Sequence, residues 1–251
     1  MDKYLCKDKQ PQSFTEYIDY FNPAAEILQE ANGTKRRRFI TGEGSQSTLW
    51  DHTWWWWYTK NRNDEEPRLL NAHIIRHILP DVKLLVILRN PVDRLYSDYL
   101  YFSPNEKKSA KSFHNKVTRS IKDFNKCLTK KSLRHCVYTG FTAEERLFIG
   151  LYAVYLKDWM NIYPRKQLLV LSLDEYSTNP SMAMSKIFKF LDLRDIGKVG
   201  TRTVHYNERR PSSRAVGQML NKTRHILEQF YKPFNKELSL LMNDTRFLWQ
   251  T

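Results

Sequence analysis

The chain has 251 residues, 41% hydrophobic and 14% aromatic, which is ample for a buried core and, with no obvious linker, suits a single domain over 1–251. Its 41 Lys and Arg against 27 Asp and Glu leave a net charge of +14, so it should attract polyanions: nucleic acid, anionic lipid, or a sulfated or uronic-acid polysaccharide. No run of about 18 apolar residues is present to span a membrane, and the start Met1-Asp2-Lys3-Tyr4 has no signal-peptide pattern.

In chain order, Phe14 to Gln29 reads as helical but irregular, and the basic run Lys35 to Arg38 as a solvated loop. Phe39 to Ser45 reads as a short strand passing into a turn. Trp54 to Trp57 cannot all face one way. Core packing is expected for some of these rings, and one or two are free to offer an indole face to a sugar. Leu70, Ile74 and Ile78 mark a helix stopped by Pro80.

The most informative run follows. Leu84 to Leu88 is short and uniformly apolar, and it is expected to form a parallel-type strand buried on both faces. Asn90 suits an N-cap, Pro91 the first helical position and Asp93 the first turn. Val92, Leu95, Tyr96 and Tyr99 then share one helix face, with Arg94 and Ser97 on the other. Arg89 sits at the carboxyl end of the strand, where open α/β sheets bind ligands. Two guanidiniums, a hydroxyl and free N–H groups at a helix start make a coherent phosphate pocket. Spacing alone leaves an ordinary strand–turn–helix with solvated arginines equally open.

Ser103 to Arg134 is a polar, lysine-rich excursion, able to grip a polyanion and just as readily a solvated face. Glu144 to Tyr163 is expected to be one long, largely buried helix. Gln167 to Leu173 is a second buried strand. It ends in Asp174-Glu175, and Asn179-Pro180 opens another helix, so the same grammar occurs twice. Strands alternating with helices imply an α/β fold with a parallel sheet flanked by helices. A cationic loop, Asn207 to Arg214, precedes a helix bearing Leu227, Phe230 and Tyr231, and Pro233-Phe234-Asn235 is expected to restart a last helix. Cys127 and Cys136 flank a basic loop and are placed to pair, leaving Cys6 unmatched; three reduced thiols fit the count nearly as well. Asn32-Gly33-Thr34, Asn221-Lys222-Thr223 and Asn243-Asp244-Thr245 are glycosylation sequons that, with the cysteines, tilt toward a secretory-pathway lumen.

Arg89-Asn90-Pro91-x-x-Arg94-x-x-Ser97 resembles the 3′-phosphate-binding motif of carbohydrate sulfotransferases that use 3′-phosphoadenylyl sulfate. The likeness takes in Gly42-Glu43-Gly44-Ser45 with Trp50-Asp51, Leu88 to Phe102 and the Cys127/Cys136 spacing. It continues through Gly150 to Trp159, Arg209-Arg210-Pro211 and Phe230 to Asn235. It is greatest to the Golgi subgroup that sulfates the 6-hydroxyl of N-acetylgalactosamine 4-sulfate in chondroitin or dermatan sulfate.

The resemblance implies a P-loop-like sulfotransferase fold and sulfuryl transfer from 3′-phosphoadenylyl sulfate, with no metal. Arg89 and Ser97 match the residues that hold the donor's 3′-phosphate. Arg94 matches an arginine that orients the helix or shares the anion, and Arg209 and Arg210 fall in a loop that closes on donor or acceptor. The implied partner is a glycosaminoglycan acceptor rather than nucleic acid, in the Golgi lumen. Membrane attachment would come only through an anchor this chain lacks, and homodimer formation is left open. The glycine- and threonine-rich loop for the 5′-phosphosulfate is not found, and the family's general base belongs to an upstream segment, so an N-terminally incomplete chain is expected. The alternative is a catalytically inactive, glycosaminoglycan-binding relative or fragment.

Overall fold

The computed structural model describes residues 13–30, 40–52, 54–103, 108–140, 144–194 and 211–249. They fall in two compact units, Met1–Ser45 and Gln46–Thr251. In the first, α1 (Phe14–Asp19) begins at a capping box. Ser13 Oγ accepts from the Glu16 N–H at 3.1 Å, and Glu16 Oε2 accepts from the Ser13 N–H at 2.7 Å. Helix α2 (Asn22–Glu30) follows after a break at Tyr20 and Phe21, the irregularity read from the sequence. Residues 40–45 contain no strand, so the described part of the strand expected over Phe39–Ser45 is corrected to irregular chain.

In the second unit, β1 (Leu84–Leu88) pairs in parallel with β2 (Leu168–Ser172), in register from Leu84↔Leu168 to Leu88↔Ser172. Around them run α3 (Asn71–Ile78), α4 (Pro91–Phe102), α5 (Ala110–Leu128), α6 (Leu133–Thr139), α7 (Tyr152–Ile162), α8 (Leu173–Thr178), α9 (Pro180–Phe190), α10 (Pro211–Ala215) and α11 (Asn221–Met242). The α/β architecture with a parallel sheet flanked by helices is thereby observed.

Burial on both faces holds for β2 and fails for β1. Leu84, Val86 and Leu88 turn toward the core, whereas Leu85 and Ile87 are 42% and 47% exposed. Their same-face partner Leu171 is buried, and α8 and α9 pack mainly against β2. A uniformly apolar strand therefore does not report by itself how many layers cover it.

The main core is formed by the inner faces of α4, α5, α7 and α11. Val92, Leu95, Tyr96 and Tyr99 are all buried, as their spacing required. The long helix expected over Glu144–Tyr163 is interrupted: a 3-10 turn spans Leu147–Gly150, and α7 starts at Tyr152. At this break the chain comes close to its neighbours: a Cβ at Gly150 would lie 2.8 Å from both Pro91 Cβ and Tyr231 Cε1. This glycine seats α4's first turn against α11.

Pro233 does not restart a helix, because α11 runs through it from Asn221 to Met242. The proline is exposed, and its missing N–H falls on the solvent side. Tyr231, Asn235 and Leu238 are buried on either side of it and hold the axis together. Between β2 and α9 the chain adds α8, capped by Ser172 Oγ, which accepts from the Asp174 N–H at 3.2 Å.

Cys127 and Cys136 form a disulfide with Cα atoms 5.9 Å apart, tying α5 to α6. Cys6, Asn32 and Lys35 to Arg38 lie outside the described residues. The tryptophans divide as sterics demanded: Trp55 is buried, while Trp54 and Trp57 are 38% and 74% exposed. Buried Asn61 holds that turn, donating to the carbonyls of Trp55 and Leu69 at 2.8 Å each. Among the described residues, no helix is long and apolar enough to cross a membrane.

Candidate functional site

The site is built where β1 stops. Leu88 is buried and hydrogen-bonded in the sheet, so the next residue, Arg89, leaves at the sheet's carboxyl end. Tyr152 on α7 fixes it there by donating its hydroxyl to the Arg89 carbonyl at 3.0 Å. Burial pushes the Tyr152 hydroxyl up to about 12, against the pull of the Arg94 and Arg89 charges, so it stays a neutral donor. The Arg89 side chain is half-buried. Among the described residues its guanidinium takes part in no hydrogen bond or ion pair.

Asn90 caps α4, its Oδ1 accepting from the Val92 N–H at 3.0 Å, and Pro91 has no N–H to offer. The helix start is thus mostly satisfied from within. The free N–H groups expected to add to an anion pocket reduce largely to that of Asp93. Asp93's carboxylate is itself held by Arg224 of α11 at 2.8 Å.

Arg94 is engaged inside the protein. Its Nη2 donates to the Arg146 carbonyl at 2.8 Å, and its Nη1 lies 3.5 Å from Asp98 Oδ2. Asp98 also accepts from Arg146 Nε at 2.9 Å and pairs with Arg146 Nη2. Burial would depress the Arg94 charge, but Tyr231, Tyr152 and Asp98 together hold its pKa above the usual value. Tyr231 donates to the Leu147 carbonyl at 2.9 Å. These contacts tie Arg94 to Asp98 on its own helix and to the segment that carries Arg146.

Ser97 lies half-buried in the second turn of α4. Counting the helical rise of about 1.5 Å per residue, it sits roughly 9 Å along the axis from Pro91. A group held by both Arg89 and Ser97 would therefore lie along the flank of α4 rather than at its tip.

The described end of the cationic loop also reaches this helix. Ser213 of α10 donates to the Leu100 carbonyl at 3.0 Å, and Tyr96 donates to the Gly217 carbonyl at 2.9 Å. Arg209 and Arg210 themselves lie outside the described residues.

Across the sheet, a cavity of about 800 Å³ opens beside the carboxyl end of β2. Ser172, Asp174, Glu175, Met182, Arg246 and Trp249 line it. It adjoins the Arg89 anchor, because Trp249 packs on Tyr152 with centroids 6.1 Å apart.

Sequence reasoning assigned no role to Tyr152, Tyr231, Asp98 or Arg146. Tyr152 and Tyr231 fall inside runs that carried the family likeness, as does Asp98, so position in a shared motif was the available signal. Arg146 follows the acid pair Glu144-Glu145 inside the helix expected from Glu144, and had none.

Comparison with known proteins agrees with this geometry. Residues 56–222, which contain β1, Arg89, α4 and α7, match the sulfotransferase domain. Carbohydrate sulfotransferase 15 of Rattus norvegicus is 40% identical over 259 residues, covering 98% of this chain and 46% of that protein. The Homo sapiens protein of the same name is 38% identical over the same shares. The bifunctional heparan sulfate N-deacetylase/N-sulfotransferase 2 of Bos taurus is 28% identical over 66% of this chain and 20% of its own length. The chain spans about half the length of the carbohydrate sulfotransferase 15 proteins it matches. The crystal structure of a sulfotransferase from Alicyclobacillus acidocaldarius shares the fold, with TM-score 0.58 and 20% identity over 93% of this chain and 72% of its own. With the domain match covering more than half of the chain and containing the β1–Arg89–α4 unit, this chain belongs to the sulfotransferase family.

Proposed function

We propose that this chain is part of a carbohydrate sulfotransferase that transfers the sulfuryl group of 3′-phosphoadenylyl sulfate to a sugar hydroxyl. The acceptor proposed is the 6-hydroxyl of N-acetylgalactosamine 4-sulfate in chondroitin or dermatan sulfate, within the Golgi lumen. One observation carries the reading. Of the two motif arginines, Arg94 is committed to Arg146 and Asp98, whereas Arg89 stands at the sheet's carboxyl end with its guanidinium unpaired among the described residues. An arginine fixed by its backbone and free at its side chain is what a bidentate phosphate contact needs.

In this reading Arg89 and Ser97 hold the 3′-phosphate and so set the position of the sulfuryl group for in-line attack. Arg209 and Arg210 close on the bound anions from the loop anchored to α4 by Ser213. Arg94 keeps α4 in place and touches no donor atom. No catalytic base is assigned to this chain. The specific acceptor rests on the likeness to the carbohydrate sulfotransferase 15 proteins.

Titration calorimetry with adenosine 3′,5′-bisphosphate tests the donor site. Arg89→Ala should weaken binding by about 1.5–3 kcal/mol, roughly 10- to 150-fold, with the melting temperature nearly unchanged. Equal affinity in the variant and the parent would remove Arg89 from the donor site.

A further inference from the structure

The outward face of α5 is unlike the rest of the surface. This helix carries five Lys or Arg and a single acid, Asp123. Lys111, Asn115, Arg119, Lys122 and Lys126 recur at helical spacing and are all exposed, making one polar stripe along the helix. Fifteen residues at about 1.5 Å each give it a length of roughly 22 Å. Arg119 pairs with Glu144 at 3.0 Å, but Lys111, Lys122 and Lys126 form no ion pair among the described residues.

The stripe is joined to the donor site by two measured contacts. His114 on α5 meets Thr223 of α11 at 2.9 Å, and Arg224, one residue on, holds Asp93 in the first turn of α4. Exposed Lys222 immediately precedes Thr223 and lies close enough to His114 that, after desolvation, its charge lowers that imidazole's pKa. Cations thus lead from α5, across the start of α11, to the helix that follows Arg89.

Local stability does not account for this arrangement. Lys111 and Lys222 each occupy the second position of a helix whose first turn has no acid. A cation there opposes the helix dipole and costs a few tenths of a kcal/mol or more. Two helix starts that break the same rule side by side concentrate positive potential on one face.

We propose that the α5 stripe, continued by Lys222, is the docking track for a sulfated polysaccharide acceptor and guides it to the donor site. The proposal rests on the sulfotransferase reading of that site, which is what favours a glycan over nucleic acid as the polyanion. Charge complementarity supplies the affinity, and the contact with α4 supplies the direction.

Fluorescence anisotropy with a labelled chondroitin 4-sulfate oligosaccharide tests it on the whole chain. The triple variant Lys111→Ala/Lys122→Ala/Lys126→Ala keeps good helix formers on an exposed face, so it should fold. It should bind the oligosaccharide at least about tenfold more weakly at low salt. Its slope of log affinity against log salt should fall by roughly 2 to 3, by analogy with counterion release from nucleic acids. A control, Lys166→Ala/Lys189→Ala/Lys236→Ala, removes the same charge from exposed positions elsewhere and should change little. Equal weakening by both triples would show that only net charge matters and would overturn the track, as would no weakening by the first. Duplex DNA bound as tightly as the oligosaccharide at the same salt would overturn the choice of partner. The bisphosphate nucleotide separates the two readings. The stripe variant should bind it normally, and if the parent chain does not bind it, the donor site fails while anisotropy still decides the stripe.

Discussion

The chain uses one local grammar twice, and the two copies differ in what they do with charge. After β1 comes Arg89, then Asn90-Pro91 and α4; after β2, which ends at Ser172, come Leu173, Asp174 and Glu175 in α8, then Asn179-Pro180 and α9. Leu88 pairs with Ser172, so both units end at the same edge of the sheet. At the first unit the end residue is a cation with its side chain uncommitted. At the second that position is Leu173, and the acid two residues on, Glu175, is already claimed by Lys186 and Arg246. Strand, cap and helix are shared scaffold. The two ends differ in whether the charge there is already paired within the protein.

The first unit also hides its balancing charges deeper. Asp98 is 13% exposed and joins Arg94 and Arg146, at 16% and 22%. Glu175 is comparably shielded, but its partners Lys186 and Arg246 are 42% and 49% exposed and can be rehydrated. Asp98→Ala takes from the shielded Arg94 guanidinium its carboxylate partner and should cost about 3 kcal/mol or more. Glu175→Ala should cost about 1 kcal/mol, because its cations turn to solvent. Urea unfolding of both variants measures the contrast. Equal losses would mean that the two units are built alike after all.

Acid separates the units next. Glu145, beside Asp98 and 3.5 Å from Lys116, is pushed up to about 7 by burial, which outweighs the pull of Lys116. A carboxyl whose folded pKa exceeds its unfolded value binds more protons when folded. It therefore adds stability as pH falls from about 7 toward 4.5, and loses that contribution as pH rises through 7. Asp244, beside the second unit, has the opposite sign. Hydrogen bonds from Arg246 lower its pKa, so its contribution is present at neutral pH and is lost only in stronger acid. Glu145→Gln should flatten the rise in stability between pH 7.5 and 5 by on the order of 2–3 kcal/mol. Melting curves across that range check it, and an unchanged slope would mean that Glu145 titrates normally.

Much of the first unit was legible in the sequence, for identifiable reasons. The Asn90 cap, Pro91 and the 92/95/96/99 face depend on neighbours within two turns, and all are as the spacing required. The cysteine pair was one of two readings left open, and the structure selects the disulfide. What was not legible depends on distant partners. The exposure of Leu85 and Ile87 depends on where α8 and α9 pack. Continuity of α11 through Pro233 depends on burial of Tyr231 and Leu238. The commitment of Arg94 to a carbonyl 52 residues away could not be read from its own helix.

The caps give the finest test. Asn90 and Asn179 do the same job. Each accepts one helical N–H, from Val92 at 3.0 Å and from Met182 at 3.1 Å, and each precedes a proline. On capping energetics alone, Asn90→Ala and Asn179→Ala should each cost about 1 kcal/mol. Their consequences for binding should diverge. Loss of the Asn179 cap frays a helix start whose capped Met182 is exposed and should leave nucleotide affinity unchanged. Loss of the Asn90 cap loosens the residue that follows Arg89, although Tyr152 still holds the Arg89 carbonyl. Affinity for adenosine 3′,5′-bisphosphate should then fall only about two- to fivefold, well under the loss from removing Arg89 itself. Calorimetry on the two single variants decides it: equal nucleotide affinity in both would show that α4's cap and the Arg89 side chain are uncoupled, and that Tyr152 alone positions the site.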